Sequence, residues 1–172
     1  MAVERRRRIL ELLRRAREPV TGSELARRFG VSRQVIVQDI AVLRAAGEEV
    51  VATPQGYRLG SGSPVGPYRA VLAVRHRPEQ TQDELNTLVD CGLRVLDVVV
   101  EHPLYGELRG LLLLASRQDV ATFVDQVTRT GAGLLSTLTG GVHLHTVEAP
   151  HPDALLCARE ALRARGYLLE DS

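Results

Sequence analysis

The stretch GSGSPVG, residues 60–66, holds only small residues, one Pro and one Val, so it offers nothing that could anchor a core. Such a run reads as a linker. It constrains the chain to two modules, residues 1–60 and 68–172, joined by residues 61–67. The charge balance changes sign at the same place. Residues 1–60 carry 12 Arg against 7 acidic residues, and residues 61–172 carry 10 Arg against 14. A basic module joined to an acidic one suggests that the first meets an anion while the second does something else. All 22 basic residues are Arg, which reads as composition bias of the genome and not as mechanism. A chain of 172 residues has room for a real core in each part.

The basic module carries three helix signals and a hairpin. Ile9, Leu12, Leu13 and Ala16 fall on one face of a helix that Pro19 stops. In TGSELARRFG, Thr21 and Glu24 have the spacing of a capping box, and Gly30 ends the helix. Ser32 caps RQVIVQDIAVLRAAG, whose inward face is Ile36, Ile40 and Leu43. EVVATPQGYRLG then reads as strand, PQG turn and strand. Three helices with a GVS turn before the third, followed by a hairpin, make a winged helix-turn-helix, which lays its third helix in the major groove of DNA. The DNA-contacting candidates are Ser32, Arg33, Gln34, Val37 and Gln38 on that helix and Arg58 on the wing. Arg pairs bidentately with guanine and Gln with adenine. Arg58 and the run Arg5–Arg8 could meet phosphates, although exposed helical faces are often basic without a partner. The stretch from Val20 to Leu59 resembles the winged helix-turn-helix at the start of many ligand-responsive bacterial repressors, including the biotin-operon type. That resemblance implies DNA binding and is silent about the signal.

The acidic module alternates strand and helix patterns: strand 68–76, helix 81–91, strand 94–102, a strand in LRGLLLLAS, a capped helix in SRQDVATFVDQVTRTG, strand 142–148, and a last helix closed by Gly166. The order βαββαβ with an added helix is that of a ferredoxin-like domain. The fold class is therefore α+β, a winged helix-turn-helix followed by a ferredoxin-like domain. With the strand order 4-1-3-2, the first and fourth strands are antiparallel neighbours. His76, at the end of the first, then lies beside His143 and His145, at the start of the fourth, with Glu84 close by. Three imidazoles and a carboxylate suit zinc, nickel or another late first-row divalent ion. Two points stand against this. Glu84 has the spacing of a capping partner for Thr81. His76 is in phase with Leu72 and Val74, whereas His143 and His145 alternate with Val142 and Leu144; if these apolar residues share one face, the histidines diverge. His102 opens the turn HPLYG at the same end of the sheet, so His102 and Tyr105 are candidates to bound a small ligand beside the metal, unless the turn merely exposes them.

The series formed by His76 and Glu84 with Leu85, then VEHPLYGELRG, then LTGGVHLHTVEAP, resembles the 3H domain. Joined to an N-terminal helix-turn-helix, it is similar to the NiaR-type repressors of NAD biosynthesis and nicotinate transport genes, over nearly the whole chain. The resemblance implies a domain that senses nicotinic acid and carries a divalent transition metal, nickel or zinc, on His76, Glu84, His143 and His145. Leu104 stands where the family more often has Val. The residues that hold nicotinic acid do not carry over in the same way.

The expected function is thus a repressor that binds double-stranded operator DNA, as a homodimer, in response to nicotinic acid. The alternative is a metal-responsive repressor in which the ion itself is the signal. An enzyme is not expected, because no separate nucleophile motif is present. RNA binding through the sheet would need exposed aromatic residues for stacking, and the chain has four Tyr, two Phe and no Trp. No segment approaches the length of a membrane span. Cys91 and Cys157 form neither a CxxC pair nor a disulfide framework, which points to a reducing compartment and a cytoplasmic protein.

Overall fold

A computed structural model describes residues 1–60 and 68–170; the linker expected at residues 61–67 lies outside the described residues. The head consists of α1 (Ala2–Arg15), α2 (Gly22–Phe29) and α3 (Arg33–Ala45), followed by a hairpin of β1 (Val50–Thr53) and β2 (Gly56–Leu59). Thr21 and Ser32 cap α2 and α3 by accepting from the amides of Glu24 and Val35. Only half of the expected capping box forms, since the Glu24 carboxylate pairs with Arg27 and Arg28 instead. Ile9, Leu13, Leu25, Ile36, Ile40 and Tyr57 close the core of the head. The arginine run is largely committed within the head. Arg5 and Arg6 both bond the buried carboxylate of Asp39 on α3, and Arg7 and Arg8 pair with Glu4 on α1. Two of these arginines thereby lock α1 onto α3.

The second module contains β3 (Arg69–Arg75), α4 (Thr81–Asp90), β4 (Arg94–His102), β5 (Gly106–Leu114), α5 (Arg117–Thr130), β6 (Val142–Glu148) and α6 (Pro152–Ala164). Ser116 caps α5, and 3-10 turns precede α4 (Pro78–Gln80) and β6 (Leu135–Thr139). The sheet is antiparallel throughout, with the order β3-β6-β4-β5. In terms of the domain's own strands this is 1-4-2-3. Both split βαβ crossovers and the pairing of the first and last strands agree with the expectation. The order 4-1-3-2 does not, because the fourth and second strands, not the first and third, form the central pair. The cause is visible in β6, whose residues Val142, His143, Leu144 and His145 are all buried and so need cover on both faces. The free edge of β3 is closed by the segment after α6, through Arg75 N–H to Tyr167 O and Leu169 N–H to Ala73 O.

Each face of the sheet has its own cover. Leu72, Val74, Val95 and Val147 pack with α4, α5 and α6. On the opposite face, Ala73, Val99, Val142 and Leu144 pack against Val37 and Ala41 of α3. The head therefore forms the third layer, and the sheet lies between it and the three helices. The cysteines correct a second expectation. Cys91, at the end of α4, and Cys157, on α6, are joined in a disulfide across a sequence separation of 66, which removes the argument for a reducing compartment.

Two glycines permit close approaches that fix the domain. Gly141, at φ +93°, brings the start of β6 against the carbonyl of His76 so tightly that a Cβ would overlap that oxygen. Gly106, at φ +81°, lets the β4–β5 turn touch the wing, where a Cβ would stand 2.8 Å from Ala52 O. Gly141→Ala is expected to cost about 1–3 kcal/mol through the left-handed backbone alone, read as a lower denaturant midpoint. Asp39→Ala, which removes the buried carboxylate that Arg5 and Arg6 share, is expected to cost about 3 kcal/mol. Reduction or Cys91→Ser is expected to cost about 4 kcal/mol for a loop of this length; an unchanged midpoint in reductant would show that the bond contributes nothing.

Candidate metal centre

Glu84 is the anchor of the site. It sits in the first turn of α4 with no exposed surface, directed at β6. It is not a capping partner, because the Thr81 hydroxyl donates to Pro78 O. Antiparallel register places His143 opposite Val74 and His145 opposite Leu72. Paired residues share a face, so both imidazoles enter the layer covered by α4. His76, one residue past the end of β3, continues that phase. The conflict of faces expected from the sequence disappears because Val142 and Leu144 have separate cover on the head side.

The four side chains converge. The distances from Glu84 carboxylate oxygens to histidine Nε2 atoms are 2.8 Å for His145, 3.7 Å for His143 and 3.8 Å for His76. His76, Glu84 and His143 each offer a ligand atom, and these lie within 4.8 Å of one another. The rings of His76 and His143, and of His143 and His145, stand edge to face at 4.8 Å between centroids. Each Nδ1 contacts a backbone carbonyl: Arg77 O for His76, Gly141 O for His143 and Asp97 O for His145, at 2.7–2.8 Å. A carbonyl only accepts, so each Nδ1 carries the proton and donates it. That fixes the tautomer and turns every Nε2 lone pair towards Glu84, the arrangement in which histidine ligates metals.

The chemistry of this donor set fits a cation. Both Glu84 oxygens and the Nε2 atoms of His76 and His145 are buried without a hydrogen-bond partner. Polar atoms left so in an apolar interior are costly. Burial pushes the Glu84 carboxyl up, but His145 and His143 outweigh it and hold the group well below the usual carboxylate range. Burial, helped by the neighbouring His145 and His76, carries His143 below its ordinary value, against the pull of Glu84. His145 loses from burial but gains more from the charge of Glu84, and ends above its ordinary value. A carboxylate among three imidazoles requires a shared positive charge, a proton or a metal ion, and N/O ligands of this kind suit a late first-row divalent ion.

The site forms the polar end of a cavity of about 240 Å³, walled by Leu85, Val98, Leu112, Phe123, Val127 and Leu135. His102 and Tyr105 do not line it. They lie at the expected end of the sheet, but the β4–β5 turn is directed at the head. His102 Nδ1 there accepts the amides of Leu104 and Tyr105, and the residue lines a separate pocket together with Arg33, Tyr57 and Thr53. Two supporting residues were not anticipated. Asp97 stands at a break in the register of β4, which frees its carbonyl for His145 and lets its carboxylate take the amide of Thr146. A lone acid within the apolar run VLDVVV was its signal. Tyr167 packs its ring 5.6 Å from that of His76 and donates to Asp83 beside Glu84; nothing in its local sequence marks it.

Of the residues expected to contact DNA, Ser32, Arg33 and Gln34 lie at the start of α3, Val37 and Gln38 lie further along it and are not exposed as expected, and Arg58 is exposed on β2. Ser32 is occupied as a cap. Gln34 donates to Thr139 O at 2.9 Å, Arg33 contacts Glu101 at 3.3 Å, and Val37 is buried under the sheet. Gln38 is half-buried.

Residues 5–58 match the HTH domain family and residues 69–171 the 3H domain family. The chain is 46% identical to the "Probable transcription repressor NiaR" of Thermotoga maritima over 168 residues, covering 98% of this chain and 95% of that one. It is 41% identical to the "Transcription repressor NadR" of Bacillus subtilis over 173 residues, covering 99% and 96%. Both relatives are named as transcription repressors. Among the described residues no helix is long and apolar enough to cross a membrane. The head with its capped third helix and wing, the buried histidine–glutamate centre and the match over nearly the full length lead to one conclusion: the chain belongs to the family of transcription repressors that join a DNA-binding helix-turn-helix to a 3H domain.

Proposed function

We propose that this protein is a cytoplasmic, homodimeric repressor of genes for NAD biosynthesis and nicotinate uptake, that it binds operator DNA in response to nicotinic acid, and that a divalent transition metal, nickel or zinc, resides on His76, Glu84, His143 and His145. The observation that carries this reading is the convergence of unpartnered, buried ligand atoms on the polar end of an apolar cavity. The cavity lies below the usual volume range of sites for drug-sized ligands, which suits one aromatic ring better than a dinucleotide. A metal held there supplies the positive charge that an aromatic acid needs in an apolar chamber. The cavity residues, in place of His102 and Tyr105, are the proposed effector contacts. A homodimer is supported by the exposed Leu111 and Leu113 on the outer strand β5 and by the two-fold half-sites that such heads read.

On the head, the proposed roles are base reading for Arg33 and Gln34, packing against the groove for Val37 and Gln38, and backbone contact for Ser32 and Arg58. Arg33→Ala or Gln34→Ala is expected to reduce discrimination between operator and random DNA by about 1–3 kcal/mol per base contact, measured by titration of both duplexes; equal losses on both would contradict base reading.

The proposal is tested by operator binding with nicotinic acid, nicotinamide or NAD, on protein of measured metal content. Nicotinic acid should change the affinity and the other two should not. His143→Ala with His145→Ala should abolish both the bound metal and the response. DNA binding that follows metal concentration alone would instead favour the ion as signal. Metal affinity should fall as the pH drops through the imidazole range, because protons compete for Nε2 and His145, with its raised pKa, takes one first. Metal retained unchanged through that range would contradict ligation by imidazole.

A further inference from the structure

The face of α3 that would enter DNA is not free in this structure. Gln34, Val37, Ala41 and Ala45 lie on one side of the helix, opposite the Ile36, Ile40 and Leu43 that hold it in the head. Val37, Ala41 and Ala45 instead pack on Ala73, Val99, Val142 and Leu144 of the sheet. Around this apolar contact the second module supplies carboxylates. Glu101, near the end of β4, takes Arg33 and the hydroxyl of Tyr57. Glu107, across the same turn, takes Arg44 at 2.5 Å and faces the wing amide of Ala52.

We propose that the β4–β5 turn and the head-facing side of β3 and β6 form an autoinhibitory clamp, an anionic stand-in for DNA that holds the reading face of α3 until the protein is switched. Three features support a reversible contact. The apolar side chains that meet are mostly Ala and Val, with Leu144 and the partly buried Leu169, so most of them bury little apolar area each. A gap of about 20 Å³ remains between the layers. The charged contacts are ones that phosphates and bases could replace, Arg33 among them.

The clamp is also wired to the cavity. β6 presents His143 and His145 to the cavity and Val142 and Leu144 to α3 on alternate residues. The turn Leu135–Thr139 lines the cavity through Leu135 and Ser136 and holds Gln34 through Thr139 O. A ligand that moves this turn by a fraction of its width therefore acts directly on the reading face. The clamp rests on the reading that α3 enters DNA, and its release rests on the cavity's being the effector site.

The test uses the full chain and a random-sequence duplex. Glu101→Gln with Glu107→Gln is compared with Asp125→Asn plus Glu160→Gln, which removes the same charge from exposed positions on α5 and α6. The first pair should bind DNA at least tenfold more tightly than the second; equal affinities would overturn the clamp. Independently, Val37→Cys is labelled with a maleimide and read by mass at the peptide holding residue 37. It should be protected in the otherwise unaltered chain and react rapidly in the Glu101→Gln, Glu107→Gln background. Labelling of the single variant as fast as in denaturant would also overturn the proposal. If the clamp variant gains affinity while nicotinic acid has no effect on any variant, the clamp stands and the effector reading falls.

Discussion

A carboxylate with no access to water cannot stand alone, and the second module is arranged around that constraint. Glu84 is wholly buried at the start of α4, and its compensation comes from three imidazoles that the chain must bring from two strands. The strands β3 and β6 must pair with Val74 opposite His143, the turn at Gly141 must close against His76, and β4 must break its register at Asp97 to hold His145. Even then the charges balance only when a cation is shared among them. Folding energy and cation affinity are therefore linked at this point.

The same strand carries the second consequence. Because His143 and His145 occupy one face of β6, Val142 and Leu144 must be covered on the other, and the cover is α3. One pleated strand thus separates the cavity beside Glu84 from α3 by a single layer of backbone. Under the proposed coupling, a difference in ligation or occupancy on one side need travel no further than the strand itself to bias the other. The disulfide between α4 and α6 ties together the helices that hold Glu84 and close the back of the sheet.

Much of this was legible in the sequence because it is local. Thr21, Ser32 and Ser116 announce helix starts, and each accepts the amide expected of it. The alternation in VHLHTVE announces a strand, and the series from His76 to His145 gathers into one cluster as the pairing of the first and last strands implied. What was not legible is non-local. Strand order depends on which strand needs cover on both faces, and that depends on a head 70 or more residues away in the chain. The apolar stripe Val37, Ala41 and Ala45 was a signal of it, since a helix with apolar residues opposite its core face has something else to pack on. Cys91 and Cys157 meet only because α4 and α6 lie side by side, which spacing alone does not reveal. His102 and Tyr105 reach the expected end of the sheet, yet the close contact of Gly106 with the wing turns them to the head.

The central claim is that Glu84 and three histidines form one cation-binding centre. X-ray absorption at the metal edge of the nickel- or zinc-loaded full-length protein measures this most directly. The account predicts a shell of nitrogen and oxygen only, at about 2.0–2.1 Å for zinc, with the outer scattering of three imidazoles, and loss of an oxygen neighbour in Glu84→Gln. A sulfur neighbour, or an all-oxygen shell without imidazole scattering, would contradict it.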